Sequence, residues 1–173
     1  LLLYAFIDGG FLYLFLALML FAYYMKNKIY FMLNLALIFI SLFLYDIDVH
    51  GLPSGHLVDT LGVYFAIFSP IVFVYLFYVL YKKLYTKEID ITWFISFIPL
   101  AFSLILSLRQ RVGLEQFAPY VMVALPSVAQ IFVNAYRVRL KIFRKKYKVI
   151  FIISILFLFF NSLVVLFNKE LYL

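Results

Sequence analysis

This sequence predicts an all-α integral membrane fold with about six transmembrane helices, and three observations carry that expectation. Of its 173 residues 68% are hydrophobic and only 13% are charged, where ordinary globular domains carry about a quarter charged residues. The mean hydropathy is +1.09. Apolar stretches of helix length recur between short polar loops, and the cations divide unequally between alternate loops.

The spans are expected near 9–25, 29–45, 61–81, 91–108, 117–136 and 149–167, and they make the whole chain, 1–173, a single transmembrane helical domain. Phe11–Met25 alone would reach about 22 Å, short of the ~30 Å hydrocarbon core, so the first helix should start near Asp8. Pro70 lies inside the third span and Pro99 inside the fourth; the fifth is entered through Pro119 and is expected to bend at Pro126. The fourth span is entered past Trp93, near its start, a residue type favoured at membrane interfaces. Asn161 in the sixth would be costly facing lipid and should bond a neighbouring helix.

Six spans must alternate sides, which gives an internal test. Lys26, Lys28, Lys82, Lys83, Lys87 and the seven cations of Arg137–Lys148 fall on one side, twelve of the 15 basic residues. Arg109, Arg111 and Lys169 fall on the other, with six of the eight acids. The positive-inside rule makes the twelve-cation side cytoplasmic. The +7 net charge is thus an orientation signal, and no nucleic-acid partner is expected. The polar, glycine-bearing loops face outward, so function is expected there: a bacterial inner-membrane protein with a periplasmic active face. The chain starts at Leu1, shows no signal peptide, and would leave both termini outside, so a segment of a longer polytopic protein is expected.

Arg109 and Arg111 stand against the charge bias. A planar guanidinium binds phosphate bidentately and stays charged, so the pair could hold a lipid phosphate or pyrophosphate at the interface. Equally, two arginines snorkelling to headgroups and pairing with Glu115 or the loop acids would look the same. The loop Asp46–Thr60 carries three carboxylates and both histidines, His50 and His56. Asp46 and Asp48 share a face in extended backbone and, with either histidine, have the chemistry to bind a divalent metal. No ligand-spacing signature accompanies them, so a solvated loop is the favoured reading and no cofactor is assigned. For the basic run a topology signal suffices, although anionic lipid would also attract it. With no cysteine, disulfides, thiolate metal sites and cysteine nucleophiles are excluded.

From His50 to Leu140 the sequence resembles the membrane half of C-type-fold, polyprenyl-phosphate-sugar-dependent glycosyltransferases, the group with the protein O-mannosyltransferases and lipid A aminoarabinose transferases. The outer loop HGLPSGH leads into a span with a central Ser69-Pro70, and a short basic hairpin and a further span follow. SLRQRVGLEQFAPYVMVALPSVA is then similar to the family's approach to the next helix, through Ser107, Arg109, Arg111, Phe117, Tyr120, Pro126 and Ala129. Ile71 or Val72 stands where a tryptophan is usual, and Glu115-Gln116 replaces a common Pro-His. The resemblance implies transfer of a sugar from a polyprenyl-phosphate donor on the outer face. Arg109, Arg111, Glu115, Tyr120, His50 and His56 would contact the substrate, among membrane lipids. The catalytic carboxylate would lie in an outer loop upstream of this segment, so no catalytic residue is named here. The rival reading is a non-catalytic polytopic subunit or a lipid-carrier transporter. A carrier needs polar residues along its path, and ionisable groups are almost absent from these spans.

Overall fold

A computed structural model describes residues 10–44, 56–109 and 112–171. Its elements in order are α1 (Gly10–Tyr24), α2 (Lys28–Leu44), α3 (Leu57–Phe68), α4 (Pro70–Tyr85), α5 (Ile91–Ser107), a 3-10 turn (Leu114–Gln116), α6 (Ala118–Met122), α7 (Leu125–Val138) and α8 (Lys141–Leu171). Among the described residues there is no strand, so the all-α expectation is met.

Short-range chemistry sets the turns at one end of the bundle. Lys26 takes a left-handed conformation (φ 55°) just past α1. The Lys26 and Asn27 amides donate back to the Tyr23 and Ala22 carbonyls, which closes a Schellman-type cap. Asn27 Oδ1 then accepts from the Tyr30 amide and starts α2, so two antiparallel helices meet in a minimal turn. Asp90 does the same for α5, accepting from the Trp93 amide at 3.0 Å.

Helices α1 and α5 run antiparallel. Tyr13 packs its ring against Phe102 of α5 at 5.7 Å, and Phe21 and Tyr24 pack against Phe94 at 5.7 and 5.8 Å. Helix α2 packs on α1 and leaves Ile29, Met32, Phe39 and Phe43 exposed. The core lies between α3, α4, α5, α6 and α7, where Tyr64, Phe73, Leu76, Val79, Leu100 and Val121 are fully buried. Three buried serines of α5 (Ser96, Ser103 and Ser107) return their hydroxyls to carbonyls of their own helix. Because Ser103 Oγ already donates to Leu100, the Tyr64 hydroxyl must donate to Ser103, at 2.7 Å.

The third span expected over 61–81, with Pro70 inside it, is broken at that proline. Helices α3 and α4 meet at a 101° bend. Pro70 has no N–H to continue α3 and starts α4 instead. Ser69, fully buried, sits at φ 62°, ψ 147°, a region almost reserved for glycine, and its Oγ accepts from the Val72 amide. Packing holds this strain in place: the Phe73 ring stacks against Tyr64 and Phe68 at 5.2 and 6.2 Å. A proline inside an apolar run reads from sequence as a tolerated kink. The left-handed serine and the stack across it turn the kink into a corner.

Six spans are not confirmed by helix length and hydropathy. Ala118–Val138, 21 residues spanning α6 and α7, is long and apolar enough to cross a membrane. The pair α3–α4 meets the same measure only if the two bent helices count as one broken span or re-entrant loop. Phe11–Tyr24, Lys28–Phe43 and Ile91–Ser107 are apolar but shorter than 18 residues. Membrane association therefore rests on one candidate span among the described residues. Pro126 does not bend that span sharply; the chain passes from α6 to α7 through a single turn at Val123 and Ala124.

Trp93 is another correction, since it is not an interface anchor. Its indole is 6% exposed, stacks on Phe97 at 4.5 Å, and donates to the Leu80 carbonyl at 2.9 Å. The basic run likewise does more than mark a side. Arg144 donates to the Arg139 and Arg137 carbonyls, which closes the end of α7, and Arg139 lies over the Tyr147 ring at 3.9 Å.

Candidate functional site

The end of the bundle opposite the Lys26–Asn27 turn gathers the described candidate residues. The His56 amide donates to the Ser107 carbonyl at 3.0 Å, which fixes the start of α3 against the last residue of α5. Two residues on, Arg109 is exposed to solvent, and its amide donates to the Leu106 carbonyl. The 3-10 turn that carries the Glu115 backbone lies against α3 and α6, and Tyr120 is half-buried within α6. Tyr13 of α1 closes the same end with its ring 4.3 Å from that of the buried Phe117. His56, Arg109, Glu115 and Tyr120 thus share one end of the molecule by backbone position. His50, Asp46, Asp48 and Arg111 lie outside the described residues.

His56 is the N-cap residue of α3, and its Nδ1 is 3.2 Å from Asp59 Oδ2, three residues into the helix. Asp59 is well exposed and the imidazole is partly covered, with side-chain exposures of 73% and 30%. The carboxylate sits on the first turn of α3, where it also complements the helix dipole. An imidazole held in place by a carboxylate in this way can contact a polar ligand. The residue types singled out from sequence missed Asp59 as a partner, yet the His-x-x-Asp spacing at a helix start is the signal that could have found it. Among the described residues no group of three or more histidines and carboxylates is placed to hold a metal.

The opposite end has its own polar centre, which sequence treats only as a topology signal. Lys83 Nζ donates to Asp90 Oδ2 at 2.8 Å and to Ser127 Oγ at 3.0 Å, and so ties α4 to the start of α5 and to α7. Burial would by itself raise the Asp90 carboxyl. The bonds it receives from Lys83, Thr92 and the Trp93 amide, with the lysine's charge, outweigh that and hold it below its ordinary value. Comparison with protein-family models, with curated proteins and with solved structures finds no match to this chain.

Proposed function

We propose that the chain is the membrane portion of a polyprenyl-phosphate-sugar-dependent glycosyltransferase, with its donor site at the His56–Arg109 end. The observation that carries this is the His56–Ser107 backbone bond at 3.0 Å. It supports the reading because it sets the outer loop's exit beside the α5 terminus, so a histidine–aspartate pair and an exposed arginine flank one surface. A lipid-linked sugar phosphate needs those groups: a fixed cation for the phosphate and polar side chains for the sugar. Arg109, with Arg111 beyond it, would stabilise charge developing on the leaving phosphate. His56 and Tyr120 would orient the sugar, and Glu115 would set the arginines. The base that deprotonates the acceptor is expected from another outer-loop carboxylate. On this reading the six spans cross a bacterial inner membrane with the donor end outside.

A photoreactive polyprenyl-phosphate sugar, irradiated with the chain in membranes, tests the site. Labelling is expected in peptides containing His56 or Arg109, and unlabelled donor should suppress it. Labelling confined to α2 and α8, or indifferent to unlabelled donor, would contradict the assignment.

A further inference from the structure

The end of the bundle that carries Lys83 and Asp90 also holds a cleft of about 310 Å³ between the last turn of α4 and the C-terminal half of α7. From α7, Ile131, Asn134, Ala135 and Val138 line it, at the spacing that puts four residues on one helix face. Lys82, Lys83 and Glu88 line the facing side. Lys83 is already committed to Asp90 and Ser127. The charges left to meet a ligand are the Lys82 ammonium and the Glu88 carboxylate, both on exposed residues.

A cation and an anion beside an apolar wall fit a ligand with an anion, a cation and a hydrocarbon tail. We propose that this cleft binds the headgroup of phosphatidylethanolamine. Its phosphodiester would sit on Lys82 and the Asn134 amide, its ammonium on Glu88, and its first acyl carbons along Ile131 and Val138. A purely anionic headgroup would face Glu88 with nothing to neutralise it. A free phosphate would leave the apolar wall unused. The site lies at the far end of the bundle from His56 and Arg109, and it stands whether or not the donor-site reading holds.

Native mass spectrometry of the delipidated chain in detergent is the test, with phosphatidylethanolamine, phosphatidylglycerol and inorganic phosphate as separate probes. Retention of one phosphatidylethanolamine per chain is expected, in preference to phosphatidylglycerol. Lys82→Gln should weaken it roughly fivefold, the size of one lysine at a lipid surface. Ala135→Trp should abolish it by filling the cleft, and Lys145→Gln in the basic run should change nothing. Glu88→Gln leaves the cleft's shape alone and should erase the preference over phosphatidylglycerol, so it decides the matter even where Ala135→Trp misfolds. Equal retention of the two lipids by the unmodified chain, binding of inorganic phosphate as tight as that of the lipid, or unchanged retention in both Lys82→Gln and Glu88→Gln would overturn the proposal.

Discussion

The side-chain amide of Asn161 in α8 donates to the backbone carbonyl of Ala66 in α3. In a continuous helix that oxygen would accept from the amide of residue 70. Residue 70 is proline, so the acceptor is left open, and the asparagine of a distant helix fills it. The bond thus gives the polar residue in the last apolar run a partner, at the carbonyl that the break at Ser69-Pro70 leaves open.

Asn161→Leu leaves the Ala66 carbonyl without that donor in an apolar setting. A loss of about 1–2 kcal/mol is expected. It should be read as a lower midpoint of unfolding in detergent, whereas Asn161→Asp, which keeps the size but loses the donor amide, should fare no better. An unchanged midpoint in Asn161→Leu would mean the bond contributes nothing net.

Ser69 gives a prediction with two opposite signs. Ser69→Gly relieves a backbone conformation that costs an L-residue about 1–3 kcal/mol, and glycine at an N-cap loses only tenths. A rise in stability of about 1 kcal/mol is expected. Ser69→Ala keeps the strain and loses the Val72 cap, so it should destabilise by about 1 kcal/mol. Equal midpoints for the two variants would remove the strained corner from this account.

Asp90 sets an acid limb. Its folded-state carboxyl is held below the ordinary value near 4. Its contribution is therefore present above that value and disappears as pH falls through the lower folded one. Unfolding midpoints measured from about pH 6 down to 3 should drop below about pH 4 in the unmodified chain. In Asp90→Asn the part of that drop owed to this group should vanish, with lower stability than the unmodified chain above about pH 4.

Particular residues show how much was legible in the sequence. The helices themselves were, because apolar runs broken by charges have few other solutions, and Asn161 was correctly expected to find a helix partner. The corner at Ser69 was not, since proline in an apolar run is compatible with a mild kink, and only the Tyr64–Phe68–Phe73 stack decides otherwise. Trp93 misled for a related reason: an indole near a helix start suits an interface, but here the Leu80 carbonyl is close enough to satisfy its N–H inside the core. At the candidate site, sequence supplied His56 and Arg109 as residue types. The 3.0 Å bond that joins their segments is a contact between positions 51 apart, which no local pattern announces.

Sugar transfer by Arg109 variants measures whether the His56–Arg109 end binds the donor. The assay follows transfer from a polyprenyl-linked sugar in membranes, with expression normalised. Arg109→Ala is expected to lose about 3 kcal/mol of transition-state stabilisation, roughly a hundredfold in rate, while Arg109→Lys keeps the charge and part of the rate. Arg111→Ala in the same background should deepen the loss. Undiminished turnover and donor affinity in Arg109→Ala, in Arg111→Ala and in the double variant would leave both arginines as interface anchors and contradict the assignment.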